Sequence, residues 1–194
     1  MSRIVKLLAF SGSTRAGSYN QQLLTDAVTG AREAGAEVNR LDLRAYPVPL
    51  YDGDLEAQSG IPENAVKVKN SFMSHDGLLI ASPEYNGFFS GVLKNMLDWL
   101  SRPVPGEPSL VALRGKTVAI MSASPGALGG VRGLQHLRLL LSNLQMYVIP
   151  MQVTLPFAHK EFGEDGLLTD LAKRKKLQEL GKSLVEFTST LTAE

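Results

Sequence analysis

The chain of 194 residues has no cysteine at all. That single absence removes disulfides, thiolate nucleophiles, thiolate metal ligands and iron–sulfur clusters, so any redox chemistry needs a cofactor from outside the chain. Charge of one sign is scarce too: 20 Lys and Arg against 19 Asp and Glu leave a formal +1, too weak a field to hold nucleic acid or an anionic membrane nonspecifically. No apolar run approaches the roughly 20 residues of a membrane-spanning helix. Met1-Ser2-Arg3 leads straight into an apolar strand-like segment without a signal-peptide cleavage site, so the cytoplasm is the expected location. The three histidines, His75, His136 and His159, lie far apart without ligand-like spacing, and no metal site is expected.

What is present describes an ordinary folded protein. Hydrophobic residues make up 44% and charged residues 20%, with ten prolines spread thinly, and the length suits one domain over 1–194. Ile4 to Phe10 is a short apolar run ending at the Ser11-Gly12-Ser13 turn, as befits a strand buried on both faces. From Ser18 to about Ala34, Leu23, Leu24, Ala27, Val28 and Ala31 recur at helical spacing, and Gly35 stands where a C-terminal cap belongs.

A second strand is expected over Ala36 to Leu43, followed by a long loop through the prolines at 47 and 49. A helix from Pro62 leads to the most apolar strand, Gly77 to Ser82, and Gly91 to Ser101 reads as a helix with Val92, Leu93, Met96, Leu97 and Leu100 on one face. Thr117 to Met121 gives a fourth strand, Val131 to Asn143 a helix, Met146 to Ile149 a fifth strand, then an irregular segment through Phe157 and a last helix from Leu167 to about Thr190. Strands alternating with helices predict an α/β doubly wound parallel sheet of five strands with helices on both faces. In the order 2-1-3-4-5 the winding reverses between the first and third strands, and a ligand belongs there, outside the strands' C-terminal ends.

Three loops fall on that edge. The first, from Ser11 to Asn20, gathers Ser11, Ser13, Thr14 and Ser18 hydroxyls, flexible backbone N–H groups and the Arg15 guanidinium before a helix, which makes an anion cradle. Ser18 also reads as a plain N-cap, and Arg15 can meet either the held phosphate or an incoming second one. The loop lacks the Gly-Lys-Ser/Thr ending of a Walker loop and the G-x-G-x-x-G of a dinucleotide fingerprint. A phosphate held mainly by hydroxyls and amides fits a mononucleotide such as FMN. The second loop, Ser82 to Gly91, carries Pro83, Glu84, Tyr85, Asn86 and Gly87 and can run along a flavin edge; Glu84 reads as a carboxylate beside a helix start, not as a general base. The third, Ser122 to Gly130, is uncharged and glycine-rich, which allows close backbone approach to a flat ligand or a tight turn with no ligand.

These pieces resemble the NADPH-dependent FMN reductases, flavodoxin-like enzymes that include quinone, azo-dye and chromate reductases. The matching residues are Gly12-Ser13-Thr14-Arg15 with Ser18 and Asn20, then Pro83-Glu84-Tyr85-Asn86 leading into Leu93-Lys94-Asn95 and Asp98-Trp99, then Ser122-Ala123-Ser124 with Gly126, Gly129 and Gly130. The resemblance implies that Ser11, Ser13, Arg15, Ser18 and Asn20 surround the FMN phosphate and that Pro83, Glu84, Tyr85 and Asn86 line the ring with Ser124 and Gly126. Thr14 and Gly87 lie within the same matched loops. It further implies ping-pong hydride transfer from NADPH or NADH through flavin N5 to a quinone or similar small acceptor, with no side chain acting as the catalyst. It implies a homodimer or homotetramer as well, with the helix carrying Lys94, Asp98 and Trp99 near the contact. Read on its own, the Asp98 and Arg102 spacing predicts an i,i+4 surface pair, and Trp99 suits either an interface anchor or the core. The competing reading is a flavodoxin-like electron carrier or flavin-binding sensor without reductase activity.

Overall fold

The computed structural model describes residues 3–191. In chain order its elements are β1 (Lys6–Ser11), α1 (Tyr19–Glu33), β2 (Glu37–Leu41), α2 (Gly53–Ser59), α3 (Glu63–Met73) and β3 (Gly77–Ala81). The two-residue strands β4 (Glu84–Tyr85) and β5 (Phe88–Phe89) follow, then α4 (Gly91–Leu100), β6 (Thr117–Ala123), α5 (Val131–Asn143), β7 (Tyr147–Leu155) and α6 (Leu171–Leu191). The central sheet is wholly parallel in the order β2-β1-β3-β6-β7, which is the expected flavodoxin-like winding. β4 and β5 form a separate antiparallel ribbon.

Burial on both faces explains the uninterrupted apolar runs of the inner strands. Alternate residues feed opposite layers. Leu7, Ala9, Leu79, Ala81, Ala119 and Met121 meet α1 and α6 through Leu23, Leu24, Ala27, Leu177, Leu180 and Leu184. Leu8, Phe10, Leu78, Ile80, Val118 and Ile120 meet α3, α4 and α5 through Val68, Phe72, Leu93, Leu97, Leu134 and Leu137. The segment after Pro150 thus completes the first layer. α6 touches α1 backbone to backbone at two glycines, for a Cβ on Gly30 or Gly181 would stand 2.0 Å from the carbonyl oxygen of Gln178 or Ala27. Arg174 on α6 also reaches the buried Asp26 carboxylate at 3.1 Å.

Five features depart from the sequence expectation. The long loop after β2 contains α2, capped by Asp52, whose carboxylate accepts from the Asp54 and Leu55 N–H groups. That helix buries no residue, so no apolar periodicity announced it. The second sheet-edge loop is a hairpin, with Asn86 and Gly87 both at positive φ (53° and 85°) between β4 and β5. This is the geometry that an Asn-Gly pair favours in a two-residue hairpin turn.

The fifth strand of the sheet, β7, runs to Leu155 where an irregular segment was expected. It sits at the edge, and its register jumps between Val118↔Val148 and Ile120↔Gln152. Pro150 falls in that bulge on an edge strand, both places where a strand tolerates a missing N–H. Last, Trp99 is fully buried inside its own chain, its indole N–H donating to the Pro49 carbonyl at 2.9 Å and its ring edge-on to Tyr51. It cannot anchor an interface. Nor does Asp98 pair with Arg102: Lys94 holds Asp98 at 2.6 Å, and Arg102 reaches Glu56 at 2.8 Å.

Candidate functional site

The parallel sheet brings the loops after β1, β3 and β6 to one edge, where the winding reverses between β1 and β3. They meet in a single cleft. Ser13, Arg15, Ser18, Tyr19 and Asn20 line it from the first loop, Pro83, Glu84 and Tyr85 from the second, and Ala123, Ser124 and Pro125 from the third. Its volume of about 90 Å³ is below the roughly 300–1,000 Å³ of pockets that enclose a ligand of flavin size. A ligand of that size could be only partly enclosed by these walls.

Three side chains, one from each side of this triangle, bind the loops together. The amide of Asn20, at the start of α1, pairs with Ala123 at the end of β6: its Nδ2 donates to the Ala123 carbonyl and its Oδ1 accepts from the Ala123 N–H, both at 2.9 Å. Ser90, the N-cap of α4, accepts from the Leu93 N–H at 3.2 Å and donates to the Gly12 carbonyl at 2.5 Å, joining the second loop to the first. Glu84 in the hairpin accepts from the Gly133 N–H at 3.0 Å and the Arg132 Nε at 2.8 Å in the first turn of α5, joining the second loop to the third. Burial alone would raise the Glu84 pKa. The Gly133 N–H and then Arg132 outweigh it and hold the carboxyl below its ordinary range.

These bonds reassign several predicted site residues. Asn20 spends both ends of its amide on Ala123, so it acts on the cleft by placing the third loop against the first. The Glu84 side chain is bonded to α5 while the residue still lines the cleft. Ser11 is fully buried and its Oγ accepts from the Ser13 N–H at 3.1 Å, shaping the turn from behind. Ser13 Oγ in turn accepts from the Arg15 N–H at 3.4 Å. Thr14 faces a neighbouring apolar cavity beside Tyr46, Pro47 and Met96. Asn86 and Gly87 form the turn of the hairpin.

In the third loop Ser124 Oγ accepts from the Gly126 N–H at 3.2 Å, while the Phe157 and Ala158 N–H groups brace the Gly126 and Ser124 carbonyls. Ser90, Arg132 and Gly133 were missed at the sequence level. Ser90 carried a signal, since a serine just before an apolar helix is a good N-cap; its second bond, 78 residues away, carried none.

The residues left free fit a phosphate. Ser18 occupies the N-cap of α1 in extended conformation, yet its hydroxyl makes no capping bond. The first turn of any helix also leaves N–H groups without acceptors and points a positive dipole end outward. The Arg15 guanidinium makes no hydrogen bond or ion pair among the described residues and lies 5.7 Å from the Tyr19 ring centre. An anion at Ser13, Arg15 and Ser18 would satisfy all of these, and the backbone of the other two loops offers edges for a flat heterocycle. No group of three His, Cys, Asp or Glu able to hold a metal occurs among the described residues.

A parallel doubly wound sheet with this three-loop cleft defines a flavodoxin-like nucleotide-binding protein. Residues 5–160 match the sequence profile of the NADPH-dependent FMN reductases. The chain is 37% identical over 180 residues to the NAD(P)H-dependent FMN reductase of Pseudomonas aeruginosa, covering 92% of each. It is 37% identical over 149 residues to the quinone reductase of Escherichia coli K12 (77% of this chain, 76% of that one) and 33% identical over 193 residues to the NADPH:quinone oxidoreductase of Arabidopsis thaliana (97% and 94%). Among solved structures it resembles FerB, a flavoenzyme NAD(P)H:(acceptor) oxidoreductase from Paracoccus denitrificans, with a TM-score of 0.81, 26% identity and coverage of 96% and 98%. The chain belongs to the NADPH-dependent FMN reductase family, an oxidoreductase family that works with FMN and NAD(P)H.

Proposed function

We propose that the whole chain works as one FMN-binding unit that oxidises NADPH or NADH and reduces a quinone or a similar small acceptor such as free flavin, an azo dye or chromate. The single observation that carries this is the meeting of the three loops in one open cleft at the switch point. In the proposed assignment Ser13, Ser18 and Arg15 bind the phosphate, and the α1 N-terminus faces it. Pro83 to Tyr85 and Ala123 to Pro125 orient the ring, while Asn20, Ser90 and Glu84 hold the three walls at fixed spacing. Bound FMN supplies the chemistry itself, taking hydride at N5 and returning electrons to the acceptor.

The open side of the cleft lets nicotinamide and acceptor occupy the same face in turn, which is the ping-pong order. Dependence on cellular nicotinamide nucleotides favours the cytoplasm as its location. Mixed under anaerobic conditions, the yellow holoprotein is expected to bleach with one equivalent of NADPH or NADH and to regain colour on adding a quinone. If neither nicotinamide bleaches the flavin, the reductase reading gives way to an electron carrier or sensor.

The face around α4 is proposed as the contact in a homodimer or homotetramer. With Trp99 buried, apolar exposure there rests on Val92 and on Leu50, which is 80% exposed and flanked by residues bonded to α4: Tyr51 N–H donates to Asn95, and the Pro49 carbonyl accepts from Asn95 and Trp99. Lys94 and Asp98 supply a polar rim. Light scattering should give two or four times the mass of the chain, and Leu50→Asp should lower it. A monomeric wild type would end this assignment.

A further inference from the structure

Behind the third wall of the cleft, between α1, β7 and the start of α6, lies a cavity of about 160 Å³ that shares no residue with the cleft itself. Leu23, Val153, Leu155, Leu168 and Leu177 line it, and all five are buried. Partly exposed Pro156 and Thr154, with Lys173 and Lys176, complete the lining and mark its mouth. Water finds few partners among such walls, and an apolar cavity of about 150 Å³ stays dry and admits one benzene-sized molecule. Size and lining therefore suit a small apolar body.

The rim sets the charge of that body. Lys173 is committed, its Nζ donating to Glu161 at 2.6 Å and lying 3.7 Å from Asp170. Asp170 also accepts from the Ala172 and Lys173 N–H groups, so the first turn of α6 already has its acceptor. Arg174 is paired with Asp26. Lys176, at the same mouth, makes no hydrogen bond or ion pair among the described residues. One uncommitted ammonium beside an apolar interior complements a monoanion with an apolar body, whereas a phosphate would find a single donor where it takes several.

The cavity and the cleft are joined through the backbone. Leu155 lines the cavity, and its carbonyl accepts at 3.0 Å from the N–H of Ser124, which lines the cleft. The Phe157 and Ala158 N–H groups hold the same loop at Gly126 and Ser124, and a Cβ on Gly129 would stand 2.8 Å from the Pro156 nitrogen. A ligand packed against Leu155 and Pro156 thus steadies the residues on which the third wall rests.

We propose that this cavity binds a small apolar monocarboxylate of the size of benzoate, its carboxylate at Lys176, and that occupation tightens the hold on FMN. The sign of the coupling follows because a wall already in place binds more tightly than one the ligand must order. Only the coupling rests on the FMN reading above; the cavity stands without it.

The test titrates FMN-loaded protein carrying 13C-labelled Leu and Val methyl groups with benzoate, benzylamine, acetate and inorganic phosphate. Benzoate should move the methyl signals of Val153, Leu155, Leu168 and Leu177 with a dissociation constant of about 1 mM or below, and benzylamine should bind about tenfold more weakly. Acetate and phosphate, which offer charge without the ring, should not displace it. Benzoate should bind about threefold more weakly to Lys176→Gln and not at all to Val153→Phe, whose ring fills the space. Should Val153→Phe fail to fold, the methyl signals and the surface variant Lys176→Gln decide. Saturating benzoate should lower the dissociation constant of FMN about fivefold, and FMN should strengthen benzoate binding by the same factor.

If benzoate leaves those four residues unmoved, or if benzylamine, acetate or phosphate matches it, the site is overturned. Benzoate that binds there without changing the FMN constant overturns the coupling. If the chain takes up no FMN, the FMN reading fails, and the same methyl titration of the FMN-free protein decides the cavity.

Discussion

Asn20→Ala is expected to lower the thermal midpoint of the FMN-free protein by roughly 5–15 °C and to weaken FMN binding by about tenfold or more. The side chain is buried, 3% exposed, and both halves of its amide are used on one backbone position 103 residues away. Truncation strands the N–H and the carbonyl of Ala123 inside the protein. Each unsatisfied buried group costs about 1–3 kcal/mol, and partial access of water to the cleft brings the pair to roughly 2–4 kcal/mol. The binding loss has a separate origin. Ser124 and Pro125 continue directly from Ala123, so the third wall of the cleft loses its tie to the loop that carries Ser13, Arg15 and Ser18. A site whose walls must be ordered by the ligand binds it less tightly than one already in place.

Asn20→Asp serves as the sharper control. It keeps the acceptor for the Ala123 N–H but sets a carboxylate oxygen against the Ala123 carbonyl, so it should lose nearly as much as alanine does. Melting the FMN-free protein separates the effect on the fold from stabilisation by bound ligand. An alanine variant that melts and binds FMN like wild type would show that the loops hold their spacing without this bond.

Asn20 also shows where sequence reading stops. The first loop was legible as one wall of the cleft because its signals are local: hydroxyls, glycines and an arginine packed into ten residues before an apolar helix. The layers were legible for the same reason, since Leu78-Leu79-Ile80-Ala81 can only be a strand covered on both sides. What Asn20 and Glu84 do there was not legible. Each looks like a ligand-facing polar residue, and each proves to be spent on a backbone group far away in the chain, at Ala123 and at Gly133.

The Asn86-Gly87 turn shows a different kind of miss. Its dipeptide is a strong hairpin signal, yet strands of two residues are too short to show alternation, so only the turn chemistry could have revealed them. Of the two places open to Trp99, its charged neighbours favoured the interface and the structure gives the core. Lys94 and Asp98 lie outward and pair with each other, whereas the position after Asp98 carries the indole inward beneath the loop of Pro49 and Tyr51.

The rigidity of the third wall makes Gly130→Ala the other substitution with a large expected effect, a loss of roughly 2–5 kcal/mol in stability together with weaker FMN retention. Gly130 caps α5 with φ 87°, and a Cβ there would stand 1.9 Å from Ser122 Oγ and 2.7 Å from Ser122 Cβ. The left-handed backbone costs alanine about 1–2 kcal/mol. The contact adds about 1–3 kcal/mol, because Ser122 is fully buried in β6 and has nowhere to move.

The functional loss follows from what comes next in the chain. Arg132 and Gly133 hold Glu84, so a displaced helix start pulls the hairpin from the cleft edge. Among the described residues Ser122 Oγ has no hydrogen-bond partner, which makes removing it inexpensive and provides the test. In a Ser122→Gly background the Gly130→Ala change meets only Glu84 Cβ at 3.7 Å, an ordinary contact, and its cost should shrink to the backbone contribution of about 1–2 kcal/mol. A double-mutant cycle by urea unfolding, with FMN fluorescence on the same four proteins, measures both losses. If Gly130→Ala costs the same in both backgrounds, the close approach to Ser122 is not what demands glycine, and the coupling of this turn to the flavin cleft must be sought elsewhere in α5.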